Sequence, residues 1–181
     1  MTAKSFHNEP LYVGTKDLHH ACEQHPVGAA MSRGDICDQW WADWLGALHI
    51  IHSAIDPELP EPVWRVAPLE EDIAASNVPP RDNEAAKQLG ERLDNDKQLR
   101  EAAYYVITGA HLMGGQVMRV TLKGRVPGAH LHIPDRKQWV DEWAPLRKRE
   151  DLVDKACAVF QALLEIMDEI LERDKEEPCP A

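Results

Sequence analysis

Apolar residues recur at spacings of three and four along most of the chain, the spacing of one face of an α-helix. The pattern is clearest in the segment between Ser32 and Pro57 and in a segment over about residues 150–173. The apolar positions predicted to be buried in the latter are Leu152, Ala156, Phe160, Leu163, Met167 and Ile170. Strictly alternating segments rich in β-branched and aromatic residues are missing from the sequence, so an extensive sheet is not expected.

Proline and glycine divide this pattern into seven predicted helices. They cover about residues 14–25, 33–56, 63–75, 84–93, 97–122, 136–143 and 150–173. In the second, Trp40 and Trp44 share the apolar face and are predicted to be core, whereas Trp41 points elsewhere. Trp41 is interpreted as partly buried, with a partner or dimer patch as the alternative. Seven helices without strands predict an all-α fold, a multi-helix bundle in one domain.

Length and charge narrow the class of protein. With 181 residues, the chain predicts one helical domain over 11–174 between flexible termini, 1–10 and 175–181. The 31 acidic residues exceed the 20 Lys and Arg, and a net charge of −11 disfavours nucleic-acid binding. No apolar run approaches the about 20 residues that span a bilayer, so no membrane association is expected. Four cysteines without CxxC spacing predict reduced thiols in a cytoplasmic protein: Cys22, Cys37, Cys157 and Cys179.

The fifth predicted helix contains three glycines, Gly109, Gly114 and Gly115, inside a strongly apolar pattern. Each glycine in a helix interior costs about 1 kcal/mol relative to alanine. A backbone without Cβ atoms must therefore serve a purpose at this place. Close packing of two helices and a flat ligand laid against the helix explain the glycines equally well.

Histidines cluster in the first predicted helix, at His19, His20 and His25. His19 lies one helical turn before Cys22 and Glu23, so a thiol or a carboxylate could support its imidazole. Metal or haem ligation and an ordinary surface position are both open. A dinuclear carboxylate–histidine site would favour Glu-x-x-His sequences on facing helices, and the chain contains none.

Four segments taken together resemble the haem oxygenase family. They are TKDLH with Glu23, then WRVAPLEEDIA, then YYVITGAHLMGGQV, and finally AVFQALLEIMDEI, in the family's order and at about its spacing. The resemblance covers about residues 11–171, and the GGQV segment is its most specific part. It implies a haem oxygenase-like helical fold that holds haem b as cofactor and substrate. The implied activity is reductive, O2-dependent cleavage of haem to biliverdin, carbon monoxide and iron.

The resemblance also implies roles for single residues. His19 matches the proximal iron ligand, with Glu23 supporting its imidazole and His20 pointing outward. Gly114 and Gly115 match the distal glycines that let the backbone approach the porphyrin, and Gly109 and Ala110 belong to the same segment. Tyr105 matches a distal-side tyrosine and Lys16 a basic residue near the haem propionates. Arg136 or Lys137 resembles a more distant cation that holds the other propionate.

The distal segment departs from the family at Ala110 and His111. If the comparison is anchored on Gly114 and Gly115, Ala110 stands at a usual glycine and His111 at the aspartate that many members use to order proton-delivering water. If it is anchored on Gly109 and Ala110, the segment resembles a bacterial subgroup with G-[SA]-x-L-G-G, and Met113 is an extra residue. His111 faces the distal region in both cases. His111 therefore has four interpretations. It orders water in place of aspartate, hydrogen-bonds the bound oxygen, binds iron as a second axial ligand, or packs away from haem.

Three function classes remain open. The first is a haem oxygenase supplied with electrons by a ferredoxin, a flavodoxin or a reductase. The basic residues Arg147, Lys148 and Arg149 could form a docking site for this donor, or they could simply be a solvated helix end. The second is a haem-binding sensor or carrier in which His111 blocks degradation. The third is a dinuclear-iron oxygenase of the same superfamily, with ligands drawn from His49, His52, Glu70, Glu71 and Asp72. For the three carboxylates, a solvated helix face is the preferred interpretation. The sequence is compatible with a monomer or a homodimer.

Overall fold

Nine α-helices account for most of residues 8–176, the part of the chain that the computed structural model describes, and no strand occurs in that part. In chain order they are α1 (Pro10–Gln24), α2 (Pro26–Arg33), α3 (Asp38–Ile55), α4 (Val66–Ala75), α5 (Glu84–Asn95), α6 (Lys97–Leu112), α7 (Gly114–Thr121), α8 (Arg136–Trp143) and α9 (Val153–Glu176). Short 3-10 turns connect several of them. The prediction of an all-α, single-domain bundle is confirmed.

Helix α2 is absent from the sequence-based prediction, which ended the first helix at Pro26. Proline cannot continue a helix but is well suited to open one, because its missing N–H would have no partner in the first turn. Pro26 is the first residue of α2, and the His25 imidazole caps it by accepting a hydrogen bond from the Val27 amide. Gly34 ends α2 in the left-handed conformation, with φ of +78°. The same rule explains why α1 begins four residues before the predicted Gly14, at Pro10.

The fifth predicted helix is in fact two helices. Helix α6 ends at Leu112, and α7 begins at Gly114. The break falls at Met113, whose φ of −111° and ψ of −75° depart from helical values. The apolar pattern continues through the break, which is why periodicity alone predicted one helix.

Helix α9 lies at the centre of the packing, since α1, α2, α3, α5 and α6 all contact it. Its predicted stripe is confirmed, because all six stripe residues are buried. On α3, the prediction is wrong only for which tryptophan is fully buried. Trp41 is completely buried and donates its indole N–H to the Pro127 carbonyl at 2.9 Å, whereas Trp40 and Trp44 are half-buried. Trp41 is therefore a core residue and not a partner or dimer patch.

The cysteines correct one expectation. Cys22 and Cys157 are free thiols, as predicted, but Cys37 is disulfide-bonded. Sequence spacing missed this bond because it carries no information on which thiols meet in the fold. Cys179 lies outside the described residues.

The predicted flexible termini fall mainly on residues 1–7 and 177–181, which also lie outside the described part, while Pro10 and Glu176 already belong to helices. Between residues 8 and 176, no helix is long and apolar enough to cross a membrane.

Candidate functional site: a groove between α1 and α6–α7

The candidate site is defined by helices that share one packing partner. Helices α1 and α6 both pack on α9, and α2 connects α1 to α7. Within the described residues, α1 packs along α9 and α2 rather than along α6 or α7. We take α1 and α6–α7, which carry the segments singled out by the sequence, as the two walls of a candidate site above their shared partner α9, and refer to the space between them as the groove.

The wall formed by α6–α7 exposes an unusual apolar surface. Met113, Val117 and Val120 are 46%, 54% and 76% exposed, and Ala110 and Gly114 are exposed beside them. A Cβ atom added to Gly114 would meet nothing within 4 Å. Contiguous exposed apolar residues mark ligand or partner surfaces. This helix thus presents an apolar face next to unfilled space.

The other two glycines of this segment have different surroundings. A Cβ on Gly109 would lie 3.1 Å from Cζ2 of Trp143, so Gly109 permits close packing of α6 against α8. A Cβ on Gly115 would make only ordinary contacts, at 3.5 Å from the Ala110 carbonyl oxygen and 3.6 Å from Leu131. The two explanations left open by the sequence therefore apply to different glycines. Gly109 serves helix packing, and Gly114 borders the open space.

The wall formed by α1 carries His19 with its side chain 51% exposed. The edge of its ring meets Phe160 of α9, with ring centroids 5.8 Å apart, and its Nδ1 lies 3.8 Å from a carboxylate oxygen of Glu23. His20 differs in that its Nε2 is hydrogen-bonded to the Gln24 side chain at 2.9 Å. Glu23 also lies 3.6 Å from Nδ1 of His20, so its carboxylate is near both imidazoles, and only His19 contacts Phe160 of α9.

The candidate cations fall at different places. Arg136 donates to the carbonyl of Leu112 at 3.3 Å, directly at the break between α6 and α7. Lys137 instead pairs with Asp141 at 2.6 Å on the exposed face of α8. Lys16 is exposed on α1. Of the two alternatives for the distant cation, Arg136 is the one that contacts the α6–α7 wall.

Tyr105 is buried near the middle of α6 in an aromatic and cationic cluster. Its ring stacks on Trp143 at 5.6 Å, and the Trp143 indole donates to the Tyr105 carbonyl at 2.8 Å. The Arg147 guanidinium lies over the Trp143 ring at 5.4 Å. Burial raises the pKa of Tyr105 to about 12, and the positive charge of Arg147 opposes this rise.

Arg147 is therefore a buried neighbour of Tyr105, only 5% exposed, and not part of a solvated helix end or an exposed docking patch. The sequence predicted an exposed Arg147 because three consecutive basic residues, Arg147, Lys148 and Arg149, are typical of a protein surface. The usable signal was the spacing of four from Trp143, which puts Arg147 on the buried face of that turn.

His111 points from α6 into the interior and belongs to a hydrogen-bonded chain. It is 4% exposed, and its Nε2 lies 3.2 Å from Nε2 of His52 on α3. Nδ1 of His52 is bonded to Asp56 Oδ1 at 2.8 Å. Asp56 Oδ2 accepts from the backbone amides of Arg65 at 2.6 Å and Val66 at 2.9 Å. Burial lowers the pKa of both His52 and His111, which favours the neutral form of both imidazoles.

A second carboxylate–histidine pair stands beside this chain. His130 Nδ1 is bonded to Asp72 Oδ2 at 2.5 Å, and the amides of Ala129 and His130 donate to the same carboxylate. The His130 ring meets the His111 ring edge-on at 5.7 Å. Burial alone would raise the pKa of Asp72, but these hydrogen bonds outweigh it and lower the pKa.

The side chains suggested for a dinuclear iron site are dispersed. His49 lies 3.4 Å from Glu70 near the surface, His52 is bonded to Asp56, and Asp72 is bonded to His130. Over residues 8–176, no group of three or more His, Cys, Asp or Glu side chains is placed to hold a metal ion.

Comparison with solved structures identifies the class of fold. Haem oxygenase-1 from the cyanobacterium Synechocystis, solved with haem, has a TM-score of 0.77 at 18% identity, covering 92% of this chain and 93% of its own. Haem oxygenase-2 from the same organism, solved with haem and NO, gives 0.75 at 17% identity, covering 93% and 86%. Haem oxygenase from Leptospira interrogans gives 0.74 at 17% identity, covering 88% and 97%.

The chain therefore has a haem oxygenase-like fold over nearly its whole length. In sequence, no family model and no curated protein matches it. The resemblance drawn from the sequence is confirmed at the level of the fold.

Proposed function

We propose that this protein is a haem oxygenase that binds haem b as its substrate in the groove between α1 and α6–α7. The observation that carries the proposal is the open space beside Gly114 on an apolar wall, with the half-exposed His19 imidazole on the opposite wall and α9 between them. A flat, largely apolar ring with one axial coordination position is the kind of ligand that such a groove fits.

On the α1 side, His19 would be the axial ligand. Glu23 near Nδ1 favours the tautomer with its hydrogen on Nδ1, which leaves the Nε2 lone pair for iron and raises its basicity. Phe160 limits rotation of the ring from below. His20 is a poor alternative, since its Nε2 is already bonded to Gln24.

On the α6–α7 side, Gly114 would let the backbone approach the porphyrin face, and Met113 and Val117 would cover it and exclude water. Lys16 and Arg136 are the candidates for pairing with the two propionates, because both are exposed cations on the two walls. When bound, haem supplies its own redox chemistry at the iron and the carbon atoms that are oxidised. The protein supplies orientation and a route for protons.

The position of His111 favours a water-ordering role over direct iron binding. Its Nε2 is engaged with His52 in the interior, so ligation of iron through Nε2 would break a buried hydrogen bond. A neutral imidazole held in this way can accept or donate one hydrogen bond through its other nitrogen. An external electron donor completes the proposed reaction.

The test is an absorption titration with hemin, followed by a reductant in air with catalase present. We expect one hemin per chain with a shifted Soret band, and then loss of that band with growth of biliverdin absorption. His19→Ala should lose the absorption bands of histidine-ligated haem, whereas His20→Ala should give the same spectrum as wild type. Absence of any Soret shift in the wild-type protein would refute the proposal.

A second candidate function is a non-degrading haem-binding protein on the same fold, and the observation that favours it is the imidazole of His111 at the position of an aspartate. The same experiment separates the two. A stable one-to-one hemin complex that is reduced but never degraded would favour the carrier or sensor.

A further inference from the structure

With both imidazoles neutral, the buried chain Asp56–His52–His111 has only one arrangement of hydrogens that satisfies its two side-chain bonds. A carboxylate can only accept, so the 2.8 Å contact requires the hydrogen of His52 on Nδ1. A neutral imidazole has a single N–H, so His52 Nε2 is then an acceptor. The 3.2 Å contact between the two Nε2 atoms requires a donor, and His111 Nε2 must supply it.

We propose that Asp56 and His52 are positioning residues that fix His111 as the neutral Nε2–H tautomer, with the lone pair on Nδ1. Because Nδ1 is bonded to Cγ, it lies closer to the backbone of α6 than Nε2 does. The lone pair is thereby kept on the side of the ring nearer the α6–α7 wall, where it can hold water as an acceptor. This role for the lone pair rests on the proposed oxygenase function, whereas the tautomer does not.

The far end of the chain is fixed by backbone. Asp56 Oδ2 accepts from two successive amides, Arg65 N and Val66 N, at the start of α4. These amides hold the carboxylate in place, and Oδ1 can face only His52. The Arg65 guanidinium stacks on Trp139 at 4.4 Å, and Trp139 in turn meets the edge of His111. The alignment thus extends from α4 through α3 to α6.

The substitution Asp56→Asn makes a specific prediction. The two amides still need an acceptor, so the Asn carbonyl oxygen takes their position and its NH2 group faces His52. His52 Nδ1 then becomes the acceptor, its hydrogen moves to Nε2, and His111 Nε2 loses its own hydrogen to Nδ1. One isosteric change therefore reverses the tautomers of two histidines, one of them not in contact with residue 56.

The experiment is 15N NMR of histidine-labelled protein without haem, with His111 assigned by the signal lost in His111→Gln. In wild type we expect His111 to show a protonated Nε2 and an unprotonated Nδ1, and His52 the reverse pattern. Asp56→Asn should exchange both patterns. The wild-type spectrum alone tests the tautomer if the variant does not fold.

Asp72→Asn is the matched control, because Asp72 is an equally buried carboxylate that accepts from a histidine Nδ1 and two backbone amides. It should change the signals of His130 and leave the tautomer of His111 as in wild type. A wild-type His111 protonated on Nδ1, or an Asp56→Asn variant with an unchanged His111, would overturn the proposal.

The functional consequence is measured separately, with hemin and reductant. If the lone pair on Nδ1 holds water for the reaction, Asp56→Asn should bind hemin with wild-type affinity and degrade it about 10- to 100-fold more slowly. If Asp56→Asn reversed the tautomers without changing the degradation rate, the lone pair on Nδ1 would have no role in the reaction, but the tautomer assignment would stand. Failure of the wild-type protein to bind hemin would instead count against the proposed function alone.

Discussion

At the scale of single residues, two neutral imidazoles buried side by side make the stability of the fold depend on pH. Burial lowers the pKa of His52 and of His111 below the usual value of about 6.5. Below that pH, the unfolded chain binds protons at both residues and the folded chain does not. Protons therefore favour the unfolded state, and the stability present at neutral pH is lost as the pH falls from about 6.5.

We predict that the free energy of unfolding falls below pH 6.5 with a slope of about 1.4 kcal/mol per pH unit for each of these histidines. In His111→Gln, whose amide can still donate to His52, the slope of the unfolding free energy against pH should be smaller by the contribution of about one proton. Urea unfolding between pH 7 and pH 5 measures the slope. His20→Gln removes an imidazole that is solvent-exposed and should leave the slope as in wild type. Equal slopes for wild type and His111→Gln would show that His111 is not held neutral.

A second pH effect belongs to Asp72 and lies in a different range. Its pKa is lowered on folding, so its contribution to stability is present above about pH 4 and is lost as the pH falls through the lower, folded-state pKa. We predict that Asp72→Asn flattens the loss of stability below pH 4. Urea unfolding of this variant over both ranges measures the two effects. If Asp72→Asn changed the pH dependence of the unfolding free energy only between pH 7 and pH 5, the effect below pH 4 would not belong to Asp72.

How far residues could be predicted from the sequence depended on whether their partners are local. His19 and Glu23 lie one turn apart on α1, and spacing alone was enough to predict that they lie near each other. His52 and Asp56 have the same spacing on α3, but nothing in the sequence connected them to His111, 59 residues further on. Buried polar chains of this kind form only when α3, α4 and α6 meet.

At the scale of elements, helices α6 and α7 show that one continuous apolar pattern can contain glycines with two different roles. The glycines were recognised as costly in a helix, but their surroundings are set by α8 and by the open groove. Trp143 fills the space beside Gly109, and nothing fills the space beside Gly114. Periodicity describes only the helix itself and therefore could not distinguish them.

We predict opposite effects for alanine at these two glycines. In Gly109→Ala the new methyl group would press on Trp143, which is held by the Tyr105 carbonyl and ring, so the free energy of unfolding should fall by about 1–2 kcal/mol. Gly114 has negative φ and no neighbour, so Gly114→Ala should raise it by about 0.4–1 kcal/mol. Urea unfolding without haem measures both.

The hemin affinity should separate the same two variants in a different way from their stability. Gly114→Ala should bind hemin more weakly, because its methyl group enters the proposed porphyrin space, whereas folded Gly109→Ala should bind as wild type. A Gly114→Ala variant with unchanged hemin affinity would remove Gly114 from the site.

At the scale of the whole molecule, the candidate site depends on α1 and α6 sharing one helix, α9, as their packing partner. The apolar stripe of α9 was predictable residue by residue from its spacing. Which helices pack on it was not, because contacts between distant segments leave no local signature. The family resemblance supplied that assembly, and the similarity to three solved haem oxygenases confirms it for the fold.

Ligand binding in this groove should stabilise the entire domain, because its two walls are joined through α9 and α2. A ligand that binds only the folded state at a concentration 100 times its Kd adds about 2.7 kcal/mol. For a chain of this length we predict that hemin at this excess raises Tm by about 5–10 °C, as measured by circular dichroism. His19→Ala should show a clearly smaller rise, and His20→Ala the full rise. Metal-free protoporphyrin isolates the iron–histidine bond, because it should give a smaller rise that is equal in wild type and His19→Ala. If hemin stabilised His19→Ala as strongly as wild type, the porphyrin would be held by the apolar wall alone, and His19 would not be its axial ligand.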